Sequence, residues 1–113
     1  GEYQQSSQVM VGPMTRRCME PFYVDKLFIG TDGFTADSGF TGNDYMRSET
    51  VRDMAQQANH VIVVTESTKF SQKGLVHLID TDYIHMVVSD DRIPEECEQY
   101  LTEQGVEVKK VKV

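Results

Sequence analysis

The hydrophobic positions of this chain fall into short bursts separated by polar, glycine-bearing connections. Val9-Met10-Val11 is an apolar run closed by Gly12-Pro13, which reads as a strand followed by a break. Pro13 suits the first turn of a helix, and Met14, Cys18, Met19 and Phe22 recur at helical spacing, which predicts a short helix over 14–22. Leu27-Phe28-Ile29, between Lys26 and Gly30, reads as a buried strand. A loop from Thr31 to Asp44 follows, long for a βα connection and without a regular period, so a structured, functional loop is expected there. Asn43 or Asp44 then caps a helix predicted over Tyr45–Asn59, in which Val51, Met54, Ala55 and Ala58 form one apolar stripe.

Val61-Ile62-Val63-Val64 predicts a strand over His60–Thr65 that is apolar on both faces, as strands inside a parallel sheet are. Gly74–Ile79 is ambiguous and fits one helical turn or two. Ile84–Val88 reads as another buried strand. Pro94 opens a helix whose first turns carry Glu95, Glu96 and Glu98, with Asp90-Asp91 as its expected cap and Gly105 as its end. Val106, Val108, Val111 and Val113 make a final strand, and Lys109, Lys110 and Lys112 suit an exposed edge. About five strands alternating with three helices give an α/β fold, a three-layer, mostly parallel sheet with right-handed crossovers.

Composition narrows the function classes. At 113 residues, with 39% apolar and 26% charged residues, the chain is one ordinary folded domain or part of one. Its net charge of −7 repels phosphodiester backbones, so direct nucleic-acid binding by this chain is not expected. Cys18 and Cys97 are isolated and read as free thiols in a reducing cytoplasm. No apolar run is long enough to span a membrane. The chain begins abruptly, without Met, and reads as a fragment truncated on its N-terminal side.

Chemistry is expected at the carboxyl ends of the parallel strands, where open α/β sheets bind small molecules. Three segments are candidates. In Gly30-Thr31-Asp32-Gly33, glycines on both sides of Asp32 admit a ligand, and Asp32 either accepts from sugar hydroxyls or shapes the turn, two roles that often coexist. Asp37 to Asn43, with Gly39 and Thr41, offers hydroxyls, an amide and backbone N–H groups before a helix, either a polyol or anion site or a solvated loop. Ser67-Thr68-Lys69 follows the central strand, which hangs the Lys69 ammonium over the sheet edge for a phosphate or leaves it a solvent lysine. Glu49 either points back at the loop or lies on the surface. His60, His77 and His85 lack metal-ligand spacing and read as structural or surface residues. No nucleophile elbow, phosphate-binding P-loop or Cys-x-x-Cys is present, and neither metal nor cofactor is expected.

These segments together resemble a known family. Lys26-Leu27-Phe28-Ile29-Gly30-Thr31-Asp32-Gly33, Gly39-Phe40-Thr41, Glu49, Met54 and Val63 to Phe70 are similar to the C-terminal sensor domain of the DeoR family of bacterial sugar-operon repressors. Gly1-Glu2-Tyr3 and Val11-Gly12-Pro13 fit the same pattern, so the likeness covers nearly the whole chain. Within the family it is greatest to the branch that controls glucitol (sorbitol) operons. The resemblance implies a fold similar to ribose phosphate isomerase and a pocket for a phosphorylated sugar or sugar alcohol, sorbitol 6-phosphate being the leading candidate. It implies a homo-oligomer that meets operator DNA only through an N-terminal domain outside this chain. It would place Asp32 and Glu49 on sugar hydroxyls, Lys69 with Ser67 and Thr68 on the phosphate, and Gly39 to Asn43, Thr41 included, as a closing loop, with Gly33 as a further ligand-binding residue. The isomerase carries a Lys before its glycine run, and Asp37 to Asp44 has none, which favours a sensor over an enzyme. The rival readings are a sugar-phosphate isomerase and an oligomerisation module with a vestigial pocket.

Overall fold

The computed structural model describes residues 23–112; the strand expected at Val9–Val11, the helix expected over 14–22 and Cys18 lie outside them. In chain order the elements are β1 (Val24–Ile29), β2 (Gly33–Thr35), β3 (Gly39–Gly42), α1 (Tyr45–Ala55), β4 (Ala58–Val64), a 3₁₀ turn (Ser67–Ser71), β5 (Val76–Ile79), a second 3₁₀ turn (Thr81–Tyr83), β6 (Met86–Asp90), α2 (Glu95–Glu103) and β7 (Glu107–Val111).

The β-branched and aromatic runs form the central sheet. Its four strands lie in the order β1-β4-β6-β7, and every pair is parallel. That order is also the order in sequence, so each crossover steps the same way. Right-handed crossovers that step the same way all land on one face of the sheet. The alternation of side chains agrees. Leu27, Ile29, Val61, Val63 and Val87 pack into one core with Val51 and Ala55 of α1 and Leu101 of α2. The intervening positions Phe28 and Val64 point the other way and are exposed. The described residues thus supply the central sheet and one of the layers expected to flank it.

The principal departure from the pattern is the stretch from Thr31 to Asp44. It holds a β-hairpin, not an irregular loop: β2 pairs with β3 antiparallel, with Phe34 opposite Phe40. The hairpin turns through Ala36–Ser38 into Gly39, whose φ of +71° is open to glycine at no steric cost. Gly74–Ile79, which fitted a helical turn, is instead extended; β5 lies against β3 and completes a three-stranded antiparallel sheet. Phe34, Phe40 and Phe70 explain why this small sheet holds its place. Their ring centroids lie 4.8, 5.4 and 6.3 Å apart, and they pin the hairpin to the 3₁₀ turn after β4.

Two boundaries also differ. The helix expected to run to Asn59 stops at Ala55, because Ala58 and His60 are drawn into register with Val24 and Lys26 of β1. Asp90 does not cap α2, whose N-cap is Pro94 without a side-chain bond. The Asp90 carboxylate accepts from the backbone N–H groups of Ser67 (2.8 Å) and Arg92 (2.9 Å). It therefore joins the ends of β4 and β6.

Candidate functional site

A cleft of about 690 Å³ opens at the carboxyl end of β1, bounded by the hairpin exit, the first turns of α1 and the last residue of β4. Its polar lining is Thr31, Asp32, Asn43, Asp44, Arg47 and Ser48. Its apolar lining comes from Phe28, Ile29 and Val64 of the sheet, Val51 of α1 and Leu78 of β5. The cleft thus lies at the carboxyl ends of two parallel strands, where open α/β sheets bind small molecules.

Local bonding fixes the polar wall. Asp32 follows the end of β1, and its backbone N–H donates to Thr41 O over 2.9 Å. Its carboxylate Oδ2 accepts from the Asn43 N–H, also at 2.9 Å. Asn43 in turn accepts, through Oδ1, the N–H of Leu75 at 3.2 Å. Thr31 turns its hydroxyl toward the carbonyls of Gly33 and Thr41 (2.8 and 2.9 Å). Asp44 caps α1 by accepting the Arg47 N–H at 2.9 Å. Ser48 is buried to 2% exposure on the cleft floor, beside Gly42, where a side chain would crowd its hydroxyl.

The residues expected to hold a ligand separate into three groups, with Glu49 apart from them. Asp32 and Asn43 line the cleft together. Gly33, Gly39 and Thr41 belong to the hairpin strands, so the stretch expected as a closing loop is, through Gly42, the central strand of the small sheet. A Cβ on Gly33 would lie 2.5 Å from Gln72 O, which shows why that position is bare. Thr41 is 2% exposed and accepts the Gly74 N–H at 2.7 Å, so its hydroxyl is committed to holding β5 against β3. Ser67, Thr68 and Lys69 sit on the 3₁₀ turn at the end of β4, adjoining the cleft wall at Val64 but outside its lining. The Ser67 N–H is taken by Asp90 and the Thr68 hydroxyl donates to Glu66 Oε1 at 3.3 Å. Glu49 lies half-buried in α1 and outside the lining.

The lining also includes residues that the sequence pattern did not single out: Thr31, Arg47, Ser48 and the exposed ring of Phe28. Helical spacing held the signal for two of them, since 44, 47, 48 and 51 share the face of α1 that looks back at the loop.

Titration is perturbed elsewhere. Hydrogen bonds from Ser67 and then Arg92 hold the Asp90 carboxyl below the ordinary range. Burial, aided by the Glu96 charge, pushes the Cys97 thiol up, consistent with an unreactive free thiol. His85 accepts the Val61 N–H through Nδ1 at 3.0 Å and so serves the sheet. Among the described residues no three His, Cys, Asp or Glu side chains are placed to hold a metal ion, and no helix is long and apolar enough to cross a membrane.

Comparison with known proteins adds an independent line. Residues 1–91 match the family model described as the DeoR C terminal sensor domain. A protein of Escherichia coli O157:H7 named as an aga operon transcriptional repressor is 32% identical over 108 residues, covering 96% of this chain and 40% of its own length. The glycerol-3-phosphate regulon repressor of Escherichia coli K12 is 23% identical, over 96% of this chain and 43% of its own. The transcriptional regulator IolR of Bacillus subtilis is 22% identical, over 92% and 41%. The chain spans about two fifths of the length of these relatives, all of them named as transcriptional regulators or repressors.

Proposed function

This chain belongs to the DeoR C-terminal sensor domain family, and from that premise we propose that it is the effector-sensing part of a bacterial transcriptional repressor of a sugar or sugar-alcohol catabolic operon. The effector is a phosphorylated sugar or sugar alcohol, with sorbitol 6-phosphate, and hence a glucitol operon, as the leading candidate. The observation that carries this reading is the cleft at the end of β1, where Asp32 and Asn43 meet beside an apolar wall. Carboxylates accept from several hydroxyls at once, and an apolar wall suits the C–H face of a sugar. A relative named as a repressor of a glycerol-3-phosphate regulon lends weight to a phosphorylated polyol.

In this proposal Asp32, Asn43 and Glu49 serve the hydroxyls. Ser67, Thr68 and Lys69 serve the phosphate from the end of the neighbouring strand. The hairpin residues Gly33, Gly39 and Thr41 hold the wall in place. Effector binding shifts a homo-oligomer between two states of different operator affinity, read out by a DNA-binding domain outside this chain. A tenfold change in operator affinity needs a coupling of only about 1.4 kcal/mol.

The test uses the full-length protein. Fluorescence anisotropy on labelled operator DNA, titrated with sorbitol 6-phosphate, fructose 6-phosphate, sorbitol and phosphate, should show release by one phosphorylated compound only. Release by none of a broad panel of sugar and polyol phosphates would sink the reading. Turnover of an aldose phosphate to a ketose would replace it with the isomerase.

A further inference from the structure

We infer that Arg47 is a specificity-determining residue of the cleft, reading the anionic group of a polyhydroxylated effector; the inference rests on the sensor reading above. Arg47 is the sole basic side chain among the cleft-lining residues. Its backbone N–H is taken by the Asp44 cap, while its exposed guanidinium makes no ion pair or hydrogen bond among the described residues. Arg52, one turn further along α1, is the opposite case: its Nη1 donates to the carbonyls of His77 (2.7 Å) and Leu78 (3.2 Å) and is committed to packing α1 on β5. One arginine of this helix is structural and the other is left facing the cleft.

The rest of the lining says what kind of anion Arg47 can read. Asp32 and Asp44 put two carboxylates beside one guanidinium, so the lining carries a formal charge of −1. A bare anion is therefore disfavoured there. A ligand that offers hydroxyl donors to the carboxylates and an anionic oxygen to Arg47 satisfies both signs at once. Ser48, the next residue along α1, lines the same cleft and sets a hydroxyl beside Arg47 that can donate to or accept from the same ligand. The guanidinium presents a planar fork that pairs with two oxygens of a phosphate, which an ammonium cannot copy. Arg47 thus acts from within the cleft, in addition to Lys69 on its far flank.

Isothermal titration on the full-length protein tests this with hexose and hexitol 6-phosphates, each beside its unphosphorylated parent and inorganic phosphate. The wild type is expected to prefer a phosphorylated compound over its parent and to take up inorganic phosphate poorly. Arg47→Gln should weaken the phosphorylated compound about tenfold or more and leave the parent unchanged, so that the preference collapses. Arg47→Lys should recover only part of it. A preference that survives in Arg47→Gln but is lost in Lys69→Ala overturns the role of Arg47 and leaves the sensor reading intact. A wild type with no preference for any phosphorylated compound overturns both. Circular dichroism melts of the variants confirm that folding is unchanged, as substitution of an exposed side chain requires.

Discussion

The carboxylate of Asp32 accepts the backbone N–H of Asn43 across 2.9 Å, closing the gap between the end of β1 and the exit of the hairpin. Asn43 passes the connection on by accepting the Leu75 N–H at the entry to β5. A residue that faces the cleft therefore also fastens the small antiparallel sheet to the central parallel one. Asp32→Ala should remove both roles. Because the site is partly open to solvent, the stability loss is expected near the low end for a charged hydrogen bond, about 1 kcal/mol in urea titration. Asp32→Asn keeps an oxygen acceptor for the Asn43 N–H and should retain most of the stability. It should still weaken any polyol ligand, since an amide accepts from fewer hydroxyls than a carboxylate.

Thr41 shows the same wall from its buried side. Its hydroxyl accepts the Gly74 N–H at 2.7 Å while the residue is 2% exposed. Thr41→Val preserves shape and removes the acceptor, leaving the Gly74 N–H without its partner. The expected cost is about 1–3 kcal/mol. In a domain of this size that lowers the melting temperature by several degrees per kcal/mol. An unchanged melting temperature would mean that the N–H finds water instead.

Gly74 carries a second constraint at the same junction. A Cβ there would lie 2.5 Å from Gly42 O and 2.9 Å from Gly42 C, and both contacts are backbone. Neither strand can yield without breaking the register of β3 and β5. Gly74→Ala is therefore expected to cost more than about 2 kcal/mol, in the upper part of the range for overpacking. Gly30→Ala, where a Cβ meets nothing within 4 Å, is the control and should stay within about 0.5 kcal/mol.

The sequence carried much of this fold openly. Val61 to Val64, apolar without alternation, belongs to an interior parallel strand, and so it proved: β4 lies between β1 and β6. The helix stripe of Val51 and Ala55 also packs as its period requires. The hairpin was equally legible and was obscured by its glycines. Gly33-Phe34-Thr35 is repeated as Gly39-Phe40-Thr41, and the two copies pair with Phe34 opposite Phe40. Read for composition, the stretch looks like a loop; read as two copies, it is two strands. β5 carries no such mark, because Val76-His77-Leu78-Ile79 suits a short helix as well as a strand and only pairing with β3 decides. For the site, strand ends pointed to Asp32. Arg47 stayed hidden, because its meaning depends on Arg52 being anchored and Arg47 not.

Ser89 is a buried polar group in β6, 3% exposed, and its hydroxyl oxygen has no hydrogen-bond partner among the described residues. A buried, unsatisfied hydroxyl costs about 1–3 kcal/mol relative to its hydrated state. Ser89→Ala removes that penalty at the expense of a few contacts. Its net effect is expected to be stabilising, by up to about 1 kcal/mol, in chemical denaturation. A clear loss of stability would show that the hydroxyl is satisfied in solution, by a water or by a segment outside residues 23–112.

Asp90 couples the domain to acid. Its carboxylate accepts from the Ser67 and Arg92 N–H groups, and those bonds, led by Ser67, hold its pKa below the ordinary aspartate value. The sign follows from linkage: a depressed folded-state pKa contributes stability that is fully present above the unfolded value, about 3.9 for aspartate. That contribution is lost as pH falls through the folded pKa, when the carboxylate is protonated and gives up its preference for the two N–H donors. Asp90→Asn keeps an acceptor but cannot ionise. Its stability should therefore lie below wild type at pH 7 and converge on it as pH falls below about 4. Because Ser67 opens the turn that carries Thr68 and Lys69, the same variant should loosen that turn, and faster amide hydrogen exchange at 67–69 would report it. Two stability curves that stay parallel down to low pH would mean that Asp90 is not held by these bonds in solution.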